Sequence, residues 1–421
     1  MLDPHAEFIR AEQAALAHTL RKDTIPVRAA TDDVVGKPIW SLPDGDPPDV
    51  DDIYTLKEEG ANLYHNPDLK GIDWDAIIDL VSDPYIFVSM CKIVKENDQV
   101  DYLPLTRFQK WMLWSIHQHR WVLVDKYRHA MATTVYVMWL LRDCMYYEGM
   151  HGLLVACDER TAKMAIERLK FAYQRLPDPI KVPLMPGTKG NAQSIHFIHG
   201  GSISIISARS DAPAVGHSVG RMVITEWGEA KWQRKAAINM FPTIFKRPHA
   251  RLVLESTPGR DGSQHQSMTF NAVDELSTAL KLKGSDLPPE TDEGGDVVGD
   301  PLFFPLFLEW WKDPTCRRRA PPGFTPTDGE QELLRTCHGI TIENLQFRRV
   351  ILHKLFMSDT RLFEAKYPND PYSGWLGAMN PKLPAEPLKR LLAQSIPDLE
   401  HPYDSDVGCY VMAEPLNDWA F

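Results

Sequence analysis

The sequence predicts an α/β fold in which a parallel sheet is flanked by helices. From Leu103 onward, short apolar runs alternate with amphipathic stretches, as strands and helices do when they take turns along a chain. Three of these runs end in polar groups suited to phosphate, metal or water, and α/β proteins bind ligands at the carboxyl ends of such strands. With 421 residues, 43% of them hydrophobic, the chain can form two or three domains.

Apolar runs and their spacing predict the individual elements. The expected strands are residues 121–124, 152–156, 194–198, 202–207, 221–225 and 250–255, with an aromatic strand at 302–308. The expected helices are 6–21, 74–96, 135–142, 159–174, 329–336 and 342–355. The helix at 159–174 is the clearest, because Ala162, Ile166 and Leu169 fall on one helical face.

Changes in composition predict four parts of the chain. Residues 1–100 are expected to form an N-terminal acidic and helical extension. Within it, residues 32–52 contain seven Asp, four Pro and only one Lys, a composition that predicts a solvated tether. Residues 101–275 are the α/β core with the three segments. Residues 276–400 follow a Gly-rich acidic loop and are expected to form a small lid or linker subdomain, and 401–421 a connector.

Charge and apolar content exclude several classes of protein. A net charge of −11 argues against a protein that coats nucleic acid, although a local basic surface remains compatible with it. The longest apolar run, 135–141, is too short to cross a bilayer, and the N-terminus lacks the pattern of a secretion signal. Six scattered cysteines without a C-x-x-C pair indicate reduced thiols rather than a zinc site or disulfides.

The first segment, Lys126 to Thr134, lies between an expected strand and an expected helix. Backbone N–H groups at a helix start and the positive end of its dipole favour a bound phosphate. Lys126 and Arg128 supply positive charge, and the hydroxyl of Thr133 or Thr134 is suited to Mg²⁺. The segment lacks the glycines and lysine of G-x-x-x-x-G-K-[ST], so a plain strand followed by a Thr-capped helix is the alternative.

The second and third segments place carboxylate and hydroxyl groups at strand ends. Glu226 follows an apolar strand and is suited to activating a water, with Thr225 beside it where many such sites carry a metal-binding Asp. Ser256 and Thr257 are suited to sensing a terminal phosphate. The alternatives are a Glu that complements a helix dipole and an ordinary S-T-P-G turn.

An upstream pair, Phe108 and Gln109, is suited to binding a purine base. The Gln amide matches the N6 and N7 edge of adenine, and the aromatic ring offers a surface for stacking. A surface Gln on an amphipathic helix is the plainer interpretation.

Taken together, four motifs resemble the large terminase subunit of tailed bacteriophages, over roughly residues 103–375. They are F-Q-K-W, K-Y-R-H-A-M-A-T-T, V-I-T-E-W-G-E-A-K-W and L-E-S-T-P-G, in that order. The resemblance implies a P-loop NTPase fold of the RecA-like (ASCE) type that uses ATP and Mg²⁺.

The resemblance also implies a role for each site residue. Those expected at the deviant Walker A loop are Lys126, Arg128, His129, Thr133 and Thr134, with Thr133 as the metal-binding hydroxyl. Glu226 is expected as the catalytic carboxylate at the end of the Walker B strand, next to Thr225. The adenine-reading residue would be Gln109, beside Phe108, and the coupling motif Ser256–Thr257. Arg209 or Arg221 is a candidate for an arginine that acts on a neighbouring subunit.

The family's function follows as an expectation. ATP hydrolysis would drive double-stranded viral DNA into a procapsid, with the portal protein, the small terminase subunit and further copies in a ring as partners, in the host cytoplasm and away from membranes. No triad of acids for the family's nuclease domain is visible, so nuclease activity is not expected. Because Met131 replaces the loop glycine and His129 a Gln, a non-hydrolysing assembly module that binds the portal or small subunit is the alternative.

Overall fold

A computed structural model describes much of the chain between residues 41 and 410. The described residues are 41–42, 45–47, 71–95, 98–187, 193–207, 219–230, 232–245, 250–259, 262–283, 302–378, 403–404 and 409–410. The chain divides into two units, Met1–Met379 and Asn380–Phe421. The expected helix at 6–21 and most of the acidic stretch at 32–52 lie outside the described residues.

Residues 71–118 form short helices and a hairpin before the main sheet. The elements are α1 (Trp74–Ser82), α2 (Pro84–Met90), β1 (Lys92–Val94), β2 (Val100–Tyr102) and α3 (Arg107–Gln118). The prediction of one helix over 74–96 was wrong. Asp83 is extended, as a residue before proline tends to be, and its side chain accepts hydrogen bonds from the first turn of α2, so the first helix ends and a second begins there.

A seven-stranded sheet forms the centre of the first unit. Its strands are β3 (Trp121–Asp125), β4 (His151–Ala156), β5 (Ser194–His196), β6 (Ser202–Ser207), β7 (Arg221–Thr225), β8 (Arg251–Ser256) and β9 (Phe304–Phe307). The helices between them are α4 (Ala132–Tyr146), α5 (Glu159–Arg175), α6 (Gln233–Asn239), α7 (Phe241–Phe245) and α8 (Gln264–Lys283).

The strand order is β5-β6-β4-β7-β8-β3-β9, and every pairing is parallel except β5 with β6. The predicted α/β class, a parallel sheet flanked by helices, is confirmed. Its one departure is the antiparallel edge strand β5, which a short turn joins to β6. Because Asp125 is in register with Ser256 and Thr225 with Glu255, the strands β3, β8 and β7 end at one edge.

Apolar side chains cover both faces of the sheet. Along β3, Val122 and Val124 join the larger core, whereas Trp121 and Leu123 join a second core on the opposite face. Such two-sided burial is typical of parallel strands. Helix α4 lies within the larger core, and all of its residues but Thr133 are buried. The exception matters because Thr133 lies in the first turn, at the carboxyl edge of the sheet.

The C-terminal helical region of the first unit comprises α9 (Asp328–Thr336), α10 (Ile342–Leu355), α11 (Thr360–Glu364) and α12 (Ser373–Ala378). It packs around three fully buried tryptophans, Trp310, Trp311 and Trp375. The strand expected in this smaller subdomain, 302–308, instead becomes β9, because its backbone pairs with β3 and completes the main sheet. The predicted boundaries at 276–400 and 401–421 otherwise stay predictions.

The second unit is described only by a short antiparallel pair, β10 (Tyr403–Asp404) and β11 (Cys409–Tyr410). Among the helices that the structure describes, none combines the length and the apolar content needed to cross a membrane.

Candidate nucleotide-binding and catalytic site

The turn between β3 and α4 has the backbone of a tight loop without any glycine. His129 and Met131 have φ angles of +73° and +56°, in the left-handed region that favours glycine. Met131 precedes α4 directly, and 44% of its surface is exposed. The side chain therefore lies outside the turn, and the backbone reaches a glycine-like conformation despite the Cβ. Strain of this kind is concentrated at functional sites.

Lys126 lies buried between two carboxylates. Its Nζ is 3.1 Å from Oε1 of Glu226 and 3.2 Å from Oε2 of Glu255. Its backbone N–H donates to the carbonyl of Ser256 at 2.9 Å, which fixes the start of the turn against β8. Burial alone would lower the pKa of Lys126, but the two carboxylates outweigh it and the pKa is raised. The side chain is therefore a permanent cation.

Glu255 is a site residue that the sequence interpretation missed. It is fully buried at the end of β8, and its Oε1 accepts a hydrogen bond of 2.8 Å from Oγ1 of Thr133. Burial raises the pKa of Glu255, and the nearby Glu226 adds to the shift, against the opposing effect of Lys126. Its position at a strand end, directly before Ser256, was the available signal.

Glu226 directs its carboxylate toward the phosphate turn. It has a φ of +51° and stands between β7 and the short 3-10 helix Trp227–Glu229, with 31% of its side chain exposed. Thr225 before it is fully buried, and its Oγ1 has no hydrogen-bond partner among the described residues. A buried hydroxyl without a partner is uncommon and is what a site for a further ligand would show.

The loops that follow Glu226 and Ser256 are locked together. Oγ of Ser256 accepts a 2.9 Å hydrogen bond from the backbone N–H of Gly228. A Cβ on Gly259 would lie 2.2 Å from the carbonyl oxygen of Gly228, so only glycine permits this approach. Thr257, which lies between Ser256 and Gly259 in the sequence, is also buried. The Ser256–Thr257 segment and the loop that carries Glu226 are therefore in direct contact.

The remaining residues of the turn reach different surroundings. Arg128 is exposed, and its backbone N–H donates to the carbonyl of Lys366 at 2.8 Å. The ammonium of Lys366 lies 3.5 Å from the carboxylate of Glu229, so residues before α12 bridge the two sides of the site. Thr134 is buried, whereas the Thr133 hydroxyl faces Glu255; of the two threonines, the structure brings Thr133 to the carboxylates.

Phe108 and Gln109 lie in the first turn of α3, beneath the phosphate turn. Gln109 is buried, its Oε1 accepts from the backbone of Thr106, and its Nε2 donates to the carbonyl of Ala130 at 3.4 Å. Phe108 is buried edge-on against Tyr127. The side chains thus support the turn, and their expected contact with adenine stays a prediction.

Of the two arginines considered for a neighbouring subunit, Arg221 is excluded by burial. Its Nε lies 2.6 Å from Oδ2 of Asp143, and neither side chain reaches solvent. It can therefore not contact another subunit in this fold. Arg209 lies outside the described residues.

The donors at the carboxyl edge fit a magnesium ion. Mg²⁺ prefers oxygen ligands and keeps waters and phosphate oxygens in its shell, so it needs only one or two groups from the protein. The Thr133 hydroxyl, the carboxylates of Glu226 and Glu255, and the unpaired Thr225 hydroxyl provide such oxygens. A cluster of three or more His, Cys, Asp or Glu suited to a metal does not occur in the described part of the chain.

No protein-family model and no curated protein matches the sequence. Several solved structures are similar. The large terminase ATPase domain of Thermus phage P74-26 has a TM-score of 0.39 and 12% identity, over 64% of this chain and 94% of that one. The large terminase of bacteriophage HK97 has a TM-score of 0.40 and 13% identity, over 64% and 53%. A DNA-packaging motor of phage Phi-28 follows, with a TM-score of 0.26 and 13% identity over 55% and 64%.

The chain therefore spans about half the length of the HK97 protein. At 12–13% identity these likenesses concern the fold and carry nothing about activity. The first two are large terminases, the family that the four sequence motifs resemble.

Proposed function

We propose that this chain is the ATPase of a viral DNA-packaging motor, in which ATP hydrolysis moves double-stranded DNA into a procapsid. The observation that carries the proposal is the position of Lys126. A buried cation directly after β3, within 3.2 Å of two carboxylates at the ends of β7 and β8, is an arrangement suited to a phosphate and its metal. The order of the sequence motifs, which resembles large terminases, supports the viral role.

In this mechanism the turn binds the triphosphate and Glu226 handles the proton. Backbone N–H groups at the start of α4, together with Lys126 and the exposed Arg128, neutralise the phosphate oxygens. As the oxygen of a water forms its bond to the γ-phosphorus, Glu226 accepts the water's proton, and the bond from phosphorus to the bridging oxygen of ADP breaks. A bound Mg²⁺, held by Thr133 with Glu226 and Thr225 nearby, would neutralise charge on the β- and γ-phosphates.

The coupling step is assigned to Ser256 and Thr257. Ser256 is hydrogen-bonded to the loop that carries Glu226. A shift of this loop when the γ-phosphate is lost would therefore also displace the segment after β8. Gly374 of α12 packs against the ring of Pro258, which gives this segment a direct contact with the C-terminal helical region. The movement would pass from the site to that region.

The partners of the proposed motor are those of the family it resembles. They are viral DNA, the portal protein, the small terminase subunit and further copies of the chain in a ring on the procapsid, in the host cytoplasm. These assignments rest on the sequence resemblance. The geometry of the site supports only the ATPase.

Turnover of ATP, with and without DNA, tests the proposal. We expect Glu226→Gln to lower the rate by about a hundredfold or more, because the general base is lost while the shape of the side chain is kept. Glu229→Gln is the matched control, since Glu229 lies three residues away, is exposed and pairs with Lys366. Equal rates for the wild type and Glu226→Gln would remove Glu226 from the mechanism.

A second candidate, the non-hydrolysing assembly module, is favoured by Met131 at the position of the loop glycine. Calorimetric titration with ATP and Mg²⁺ separates the two. Binding is expected for the ATPase because the Met131 side chain lies outside the turn. No heat of binding at millimolar ATP would support the module.

A further inference from the structure

A groove of ≈ 320 Å³ opens directly beside the phosphate turn, and the mechanism above does not use it. Met131 and Thr134, from the N-terminal turn of α4, form one part of its lining. Ile93 and Val94 of β1 form a second part, and α5 supplies the third. The groove is thus continuous with the turn that is proposed to bind phosphate.

The lining from α5 is a single helical face. Met164, Glu167, Arg168 and Phe171 are spaced at i, i+3, i+4 and i+7. Two of the four are apolar and two are charged. A mainly apolar wall with a few polar groups is the usual composition of a small-molecule site.

Apolar side chains around the groove are unusually exposed. Val94, Met131 and Met164 leave 52%, 44% and 41% of their surfaces open to solvent. Isolated exposed apolar residues are ordinary, but three around one concave site mark a place where a ligand removes them from water. Methionine suits such a wall because its side chain is flexible and its sulfur makes favourable contacts with aromatic rings.

We propose that this groove binds the base of the nucleotide whose phosphates lie on the Lys126–Thr134 turn. The inference rests on the proposed function and deepens it. The volume of ≈ 320 Å³ is at the lower end of the range for ligand pockets, about 300–1,000 Å³, which suits a base with its sugar. Glu167 and Arg168 offer an acceptor and a donor for the edge of the base.

The assignment also gives Met131 a role. Glycine would satisfy the left-handed backbone at this position but would leave the groove without part of its lining. The methionine keeps that backbone, and its side chain extends the apolar wall toward the phosphates. Gln109 and Phe108, which are buried against the turn, then act as its support and make no contact with the base.

Comparison of two ligands tests the inference. ATP carries a base, whereas inorganic tripolyphosphate presents only the phosphates, and both are titrated calorimetrically with Mg²⁺. We expect Met164→Asp to weaken ATP binding at least tenfold and to leave tripolyphosphate binding unchanged. Val94→Asp should show the same selectivity, because Val94 lines the groove from β1 and lies outside the phosphate turn. Met185→Asp is the matched control, an equally exposed methionine outside the groove, and should change neither.

The outcomes separate this inference from the function on which it rests. If the wild type binds both ligands but the two groove variants weaken them equally, or weaken neither, the base lies elsewhere and the ATPase proposal survives. If the wild type binds neither ligand, both proposals fall. Thermal unfolding of each variant checks the fold, and Met164→Ala, which adds no charge, repeats the test should Met164→Asp unfold.

Discussion

Glu255, at the carboxyl edge of the sheet, and Glu330, in the C-terminal helical region, are both almost inaccessible to solvent. The two carboxylates differ in how many cationic and hydrogen-bonding partners the protein gives them. In the C-terminal helical region, Glu330 accepts a 2.8 Å hydrogen bond from Nε of Arg349 and a 2.9 Å bond from the backbone of Thr327. Burial alone would raise the pKa of Glu330, but these bonds outweigh it and the pKa is lowered. At the carboxyl edge of the sheet, Glu255 shares one ammonium, that of Lys126, with Glu226, and its pKa is raised.

Under the proposed function, this difference separates a structural acid from one that faces the bound ligand. Glu330 has a whole guanidinium and a helix cap, so its charge is satisfied within the protein. Two carboxylates against one buried lysine leave a local excess of negative charge, which a divalent cation would neutralise and which the fold alone does not. A buried acid with too few partners is therefore a better guide to the site than burial itself.

The largest effect is expected where the site region is most tightly packed. Gly259→Ala places a Cβ 2.2 Å from the carbonyl oxygen of Gly228, so one of the two backbones must shift. We expect the free energy of unfolding to fall by about 3 kcal/mol, measured by denaturant titration. Glu226 lies in the same loop as Gly228, so a shift of that loop should also lower the rate of ATP turnover.

Gly329→Ala is the matched control in the C-terminal helical region. It lies in the first turn of α9, where a Cβ meets nothing within 4 Å, and alanine favours helix. Its stability should be equal to or slightly above that of the wild type. Similar losses for both variants would mean that the contact between Gly228 and Gly259 is no tighter than ordinary packing.

Much of the fold was predictable from the sequence because its signals are local. The strands at 202–207 and 221–225 and the helix at 342–355 have the predicted bounds, since apolar runs and capping residues define each of them. The antiparallel direction of β5 and the pairing of β9 with β3 were not predictable in this way. Both depend on which distant strand offers a free edge, which no local pattern records.

The candidate site shows the same limit. Lys126, Thr133 and Glu226 were selected from motifs, and the structure brings them together. Glu255 was missed because a single acid at a strand end is common, and only the register of β8 against β7 and β3 places it between Lys126 and Thr133. The supporting role of Gln109 also needed the fold, since its partner, Ala130, is distant in sequence.

A smaller effect is expected from removing the charge of the structural acid. Glu330→Gln keeps the helix cap, because Gln also serves at this position, but weakens the bonds to Arg349. We expect a loss of about 1–2 kcal/mol at neutral pH, at the low end for charged hydrogen bonds because Arg349 is half-buried.

The loss in Glu330→Gln should depend on pH. A carboxyl whose pKa is lowered by folding stabilises the protein above its ordinary value of 4.5 and loses this contribution as the pH falls through the lowered native pKa. The difference between the wild type and Glu330→Gln, from denaturant titrations at several pH values, should therefore be constant above pH 6 and vanish in acid. A difference that does not shrink as the pH is lowered would show that packing rather than charge is responsible.

The smallest effect on stability, and the most informative, is expected for Glu255→Gln. The substitution removes one of two carboxylates that share Lys126 and keeps an oxygen for the Thr133 hydroxyl, so the repulsion from Glu226 is relieved. We expect the free energy of unfolding to stay constant or to rise by up to about 1 kcal/mol, while the rate of ATP turnover falls at least tenfold. The same denaturant titration and turnover assay measure both. A loss of stability as large as that of Glu330→Gln would contradict this comparison. It would mean that the protein itself fully pairs the charge of Glu255, as it does that of Glu330, and that no ligand is needed to do so.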